Sequence, residues 1–170
     1  MVKGSCVCGD WTYEYEGEPA AVAVCHCVPC RKTAGTTGSV NSIIPNDKVV
    51  VVKNGSEGLQ LTSPQFKQLS GTDRTFTRKG DSTQVSWYLP TKALLFLLIA
   101  GQDVTYHNCA TCGTIMWVEI AAMQGLTVVK TGTIDEEDAL NQAKPVTEMY
   151  CTRRPASVPE IAGIEHKDTA

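Results

Sequence analysis

The apolar side chains are spaced in short alternating runs. Trp11-Thr12-Tyr13-Glu14-Tyr15-Glu16 sets a large side chain at every second position, the period of a strand with one buried face. Residues 22–25 and 38–44 read as further strands, and 49–53 as another, with the turn residues Pro45-Asn46-Asp47 between the last two. Residues 114–120 and 126–133 are rich in β-formers and flank Gln124-Gly125, which predicts a hairpin. Residues 146–151 read as a strand. Thr133 with Glu136 forms a capping box that predicts a short helix over 136–142, closed before Pro145. The chain therefore reads as mainly β, a single domain over residues 1–155 with short helices, followed by a polar, partly ordered tail over 156–170.

Residues 85–101 break the pattern. They are apolar, acid-free and Leu-rich, between Arg78-Lys79-Gly80-Asp81-Ser82 and Gln102-Asp103-Val104-Thr105-Tyr106. Two readings fit this atypical insert. One is a translated intron, since Val-Ser is encodable as a splice donor and Ala-Gly is compatible with an acceptor. The other is a genuine lid or dimer helix over 91–100. The apolar run 93–100 is far short of the about 20 residues that cross a bilayer.

Composition narrows the function classes. A chain of 170 residues with 42% hydrophobic and 19% charged side chains is long enough for a core and is neither disordered nor fibrous. A net charge of −3 argues against a nucleic-acid binder. No apolar segment precedes Cys6, so no signal peptide is expected and the expected location is cytoplasmic, where thiols stay reduced.

In that setting 8 cysteines carry most of the information. They fall as Cys6-Val7-Cys8, Cys25-His26-Cys27-Val28-Pro29-Cys30, Cys109-Ala110-Thr111-Cys112 and a lone Cys151. A Cys-x-Cys pair on a strand points both thiols to one face, which suits a metal better than a disulfide. Cys-x-x-Cys followed by Gly113 is a zinc-knuckle pattern, the glycine giving the tight turn its backbone freedom. The natural division is a closed structural zinc site of Cys6, Cys8, Cys109 and Cys112, and a three-thiolate zinc site of Cys25, Cys27 and Cys30. Three protein ligands leave a position for water or substrate, the mark of catalytic zinc. Against this, Cys151 as a fourth ligand would close the second site. His26, between two ligands, should face away from the metal, and His107 reads as a non-ligand. A lone cysteine in a strand-like run is most often a small buried apolar group. With both zincs bound to thiolates the charge would move from −3 to about −6, which again disfavours anionic partners.

Together, Gly4-Ser5-Cys6-Val7-Cys8-Gly9, Cys25-His26-Cys27-Val28-Pro29-Cys30-Arg31-Lys32, Cys109-Ala110-Thr111-Cys112-Gly113-Thr114, Gly132-Thr133-Ile134-Asp135 and Arg154-Pro155 with Val158-Pro159 resemble the glutathione-dependent formaldehyde-activating enzyme family, in its fungal-type form. The resemblance implies a β-tent zinc fold shared with methionine sulfoxide reductases. It implies two Zn2+ per chain, one structural and one catalytic, and carbon–sulfur lyase chemistry joining glutathione and formaldehyde into S-hydroxymethylglutathione. Two departures bear on substrate. Asn108 stands where relatives carry an aromatic residue, and Ser157 stands where they carry Trp.

The expected activity is therefore a zinc-dependent lyase that joins or cleaves a glutathione-like thiol and a small aldehyde or related electrophile. Cys25, Cys27 and Cys30 would be catalytic, and Arg31 and Lys32 would bind substrate carboxylates. The alternative for Arg31 and Lys32 is surface charge balancing the thiolates. Asp135 reads as a turn or cap residue. Two other function classes fit the cysteine count: a non-catalytic zinc-binding interaction module, and a thiol redox enzyme using an exposed, acidic Cys151.

Overall fold

The computed structural model describes residues 1–46, 66–79, 84–88, 94–98 and 102–168. Its strands are β1 (Val2–Ser5), β2 (Thr12–Tyr15), β3 (Ala21–Cys25), β4 (Ser39–Pro45), β5 (Phe66–Ser70), β6 (Asp73–Lys79), β7 (Gln84–Tyr88), β8 (Leu94–Leu98), β9 (Asp103–Cys109), β10 (Ile115–Ile120), β11 (Leu126–Lys130), β12 (Thr147–Met149) and β13 (Glu165–Lys167). Two short helices, α1 (Val28–Ala34) and α2 (Ala139–Gln142), and 3₁₀ turns at Thr131–Thr133 and Cys151–Arg153 complete it. The mainly β reading holds. The strand expected over 49–53 lies outside the described residues.

Alternation explains how the sheets pack. In β2 the phase read from the sequence puts Tyr13 and Tyr15 inward, with Trp11 just before them, and all three are buried. The small sheet β1-β2-β5 lays this aromatic face against one side of an eight-stranded sheet ordered β13-β12-β3-β4-β11-β10-β9-β6. That side supplies Ile44, Val129, Met116 and Trp117. A bulge between Ile115 and Trp117 brings the neighbours Met116 and Trp117 into the same core, which strict alternation would forbid. Trp11 and Trp117 meet with ring centroids 4.5 Å apart, a contact that adds to burial energies of about 1.5–3 kcal/mol per large apolar side chain.

The other phase of the large sheet forms a second core. Ala23 and Cys25 of β3, Ile43 of β4, Val128 of β11, Val118 of β10 and Tyr106 of β9 share it with Met149 and Tyr150. Beyond β3 the pairing turns parallel, with Met149 of β12 opposite Cys25 and β13 parallel to β12. The C-terminal polar segment is thereby tied into the sheet at Glu165–Lys167.

Three local expectations change. The capping box does not form, because the Thr133 hydroxyl is spent on the Lys130 carbonyl (2.8 Å) and the Tyr13 hydroxyl (2.9 Å). The helix contracts to Ala139–Gln142, with Asp138 at its N-cap. Within the insert, the stretch read as a helix over 91–100 is strand at Leu94–Leu98, where backbone groups pair antiparallel with Gln84–Tyr88. Val85, Trp87 and Tyr88 supply the β-branched and aromatic content that favours this ladder over a helix. Among the described residues β7 and β8 pair only with each other. The insert also leaves the chain beyond the last rung of the β6–β9 hairpin, where Lys79 faces Asp103. No helix among the described residues is long and apolar enough to cross a membrane.

Candidate metal centres

Two groups of thiols are gathered, and they are the two that the spacing predicts. Within each, the sulfur atoms lie within 4.8 Å of one another. The first joins Cys6 and Cys8, which follow β1, to Cys109 at the end of β9 and Cys112 in the turn beyond it. Each pair is folded by a backbone knuckle. The Gly9 amide donates to the Cys6 carbonyl and the Gly113 amide to the Cys109 carbonyl, both at 2.9 Å. Gly113 holds φ of 77°, a conformation that an L side chain resists. The Trp11 amide points at the Cys6 sulfur at 3.3 Å, so the aromatic core and the knuckle are built together. Cys112 is pulled down to about 5 by the Thr114 hydroxyl and the Thr114 amide.

The donor set fits a tetrahedral metal. Sulfurs at about 2.3 Å from zinc are separated from one another by about 3.8 Å along a tetrahedron edge. Cys6 and Cys8 are 3.4 Å apart and Cys8 and Cys109 are 3.8 Å apart. All eight cysteines are unbridged.

The second group is Cys25 at the end of β3 with Cys27 and Cys30 of the following turn. The helix α1 that carries Cys30 was not legible as a helix. It is nucleated by the cysteine itself, since the Cys27 sulfur caps it by accepting the Cys30 amide at 3.3 Å. Pro29 sits in its first turn, where a missing N–H costs nothing. Cys25 and Cys27 are buried and Cys30 is half-buried. Hydrogen bonds from the Cys25 and Cys27 thiols hold Cys30 well below the usual thiol range, with Lys130 and Ser39 adding to them against the effect of burial. Among the described residues no fourth Cys, His, Asp or Glu joins this group.

His26 turns away from the thiols, as its place between two ligands requires. Its Nδ1 faces the Thr37 carbonyl at 2.9 Å and its Nε2 faces Glu148 Oε1 at 2.8 Å. Glu148 is fully buried, on the reverse side of β12 from Met149. Arg154 Nε and His166 Nε2 close on its carboxylate at 3.3 and 3.2 Å. Sequence reading missed this cluster. Its signal was a lone carboxylate between Thr147 and Met149 in a short strand.

The remaining candidates separate. His107 is not a ligand; its Nδ1 meets Asp73 Oδ2 at 2.8 Å. Asp135 accepts the Ser5 hydroxyl at 2.6 Å, a structural tie. Arg31 is half-buried on α1, with its Nε lacking a hydrogen-bond partner, and Lys32 is exposed. Cys151 lies outside both groups, on a 3₁₀ turn, donating to the Glu148 carbonyl at 3.3 Å. It is half-buried rather than part of the core, and burial pushes its thiol up, the opposite of what a redox nucleophile needs.

The model of the glutathione-dependent formaldehyde-activating enzyme family matches residues 1–86 and again 67–153. The chain belongs to that family. All seven clustered cysteines of this formaldehyde-activating enzyme family member lie inside the match, as does the unclustered Cys151. A crystal structure of a Rhodobacter sphaeroides protein is similar to this family member at 14% identity, over 84% of this chain and 96% of that one, with a TM-score of 0.46. No curated protein matches it.

Proposed function

We propose that this chain is a zinc-dependent carbon–sulfur lyase that joins or cleaves a glutathione-like thiol and a small aldehyde, with two Zn2+ per chain. The observation that carries the reading is the inequality of the two thiol groups, four donors in one and three in the other. The four-donor group is closed by protein alone and ties β1 to the β9–β10 hairpin, which is a structural task. Zinc at the three-donor group would hold a substrate sulfur as its thiolate, since coordination removes the thiol proton at neutral pH.

The chain's own residues shape that site. Cys25 and Cys27 are fixed from behind by His26, and Cys30 by its place in the first turn of α1. Arg31 follows Cys30 directly, and its guanidinium suits a carboxylate of a peptide-like thiol, with Lys32 at the rim. Holding both reactants together converts a bimolecular encounter into an oriented one. Family membership supports glutathione and formaldehyde as the first substrates to try.

The test is exchange of formaldehyde with glutathione, followed by magnetization-transfer NMR. Wild-type protein should accelerate it, and a folded Cys27→Ser variant should not. A folded Cys27→Ser variant with full activity would refute the reading.

A further inference from the structure

A lysine points into the three-cysteine face of the large sheet. Lys130 ends β11 in phase with Val128, which belongs to the core that also holds Cys25 and Cys27. Opposite it on β4 is Asn41, in phase with Ile43 of the same core. The Lys130 ammonium donates to Asn41 Oδ1 at 2.9 Å and to Ser39 Oγ at 3.3 Å. Ser39 pairs with Cys25 across the β3–β4 ladder and so shares its face of the sheet, and its hydroxyl donates to Asn41 Oδ1 at 3.1 Å. Ser39 and Asn41 are both buried, and Lys130 is half-buried.

This arrangement leaves something over. An ammonium has three donors, and two are spent on neutral oxygens. Among the described residues no carboxylate pairs with Lys130. Its charge also favours the Cys30 thiolate beside the site, but its direct partners are neutral oxygens, so the third donor is left for an anion that arrives with the substrate.

We propose that Lys130, positioned by Ser39 and Asn41, binds the oxygen that becomes negative when a thiolate adds to an aldehyde at the Cys25/Cys27/Cys30 site. The proposal rests on the lyase reading. In the addition the sulfur electron pair forms the C–S bond, and the C=O π pair moves to oxygen. That oxygen takes a proton from water as the adduct leaves. In the reverse direction the adduct hydroxyl loses its proton to water, the C=O bond re-forms and the sulfur departs as thiolate. The free Lys130 donor acts on the alkoxide and not on the neutral aldehyde, so it lowers the barrier without tightening ground-state binding.

The experiment compares wild type, Lys130→Met, Lys130→Gln and Lys130→Arg with glutathione and formaldehyde as probes. Exchange rate is measured by NMR, glutathione Kd by calorimetry and bound metal by elemental analysis. Lys130→Met should slow exchange about a hundredfold, the usual loss for one oxyanion donor, and Lys130→Arg should recover part of it. Glutathione Kd and metal content should stay within twofold of wild type. A Lys130→Met rate within threefold of wild type overturns the proposal, as does a parallel loss of glutathione binding. Loss of metal in both Lys130→Met and Lys130→Gln would assign the charge to balancing the thiolates and overturn it too. Wild-type protein that fails to accelerate exchange would instead remove the lyase reading, and this inference with it.

Discussion

His26 Nε2 lies 2.8 Å from Glu148 Oε1, and both side chains are buried. The pair joins the turn that carries the three thiols to β12 and, through Arg154 and His166, to the C-terminal segment. Both imidazole nitrogens face oxygens, which fixes the orientation of the ring behind the thiols. Removing Glu148 would strand a buried His26 and leave Arg154 with only the exposed Glu160 as charge partner. Glu148→Ala should therefore cost about 3–5 kcal/mol, as expected for a broken buried pair, read from denaturant unfolding. It should also speed metal loss from the three-thiol site while the four-thiol site keeps its metal, checked by timed chelator competition.

Gly38 sits against the same turn. A Cβ there would come within 2.8 Å of both the Cys25 carbonyl oxygen and His26 Nδ1. Neither neighbour can retreat, because one belongs to a β3 ladder residue and the other is held by Thr37 and Glu148. Gly38→Ala should destabilise by about 1–3 kcal/mol, the range for overpacking a filled core. The denaturation midpoint checks it; an unchanged midpoint would mean that the turn yields to the added methyl group.

Cys151 should behave as a bystander. Its thiol is held above its ordinary value by burial, so little thiolate exists near neutral pH. Alkylation by iodoacetamide in the metal-loaded protein should be slow at pH 7 and climb only as pH passes 9, the ordinary value from which the thiol is raised. Cys151→Ser should leave metal stoichiometry and formaldehyde exchange unchanged. Rapid labelling at pH 7 would revive the redox reading.

Residues 85–101 should be dispensable. Lys79 faces Asp103 at the end of the β6–β9 ladder, so the two strands are already in register where the insert leaves and returns. A two-stranded hairpin that pairs with no other described strand contributes little stability by itself. Deleting 85–101 leaves a short loop between Lys79 and Asp103, and the variant should keep its metal content and cooperative unfolding. Sequencing the mature transcript tests the intron reading separately, and a spliced message without these codons would establish it.

The thiol groups were legible because clusters able to hold a metal leave their mark in local spacing. Cys6-x-Cys8, Cys109-x-x-Cys112 and the three-cysteine turn each fold within a few residues, and alternation around Tyr13 and Tyr15 gave the correct buried face. What escaped depends on long-range pairing. The Thr133 hydroxyl was lost as a helix cap to Tyr13, 120 residues away in sequence. Glu148 meets His26 only because β12 runs parallel to β3, a register that no local pattern announces. Lys130 and Asn41 gave a faint signal, polar side chains in the inward phase of otherwise apolar strands. The α1 helix was hidden because its cap is a cysteine sulfur in place of the usual Ser, Thr, Asp or Asn.

Cobalt substitution tests the central claim of one closed and one open thiolate site most directly. Two cobalt ions should bind per chain, with a thiolate charge-transfer spectrum in which glutathione perturbs only the portion that Cys27→Ser removes. A spectrum indifferent to glutathione, or a perturbation that survives Cys27→Ser and disappears in Cys109→Ser, would contradict it.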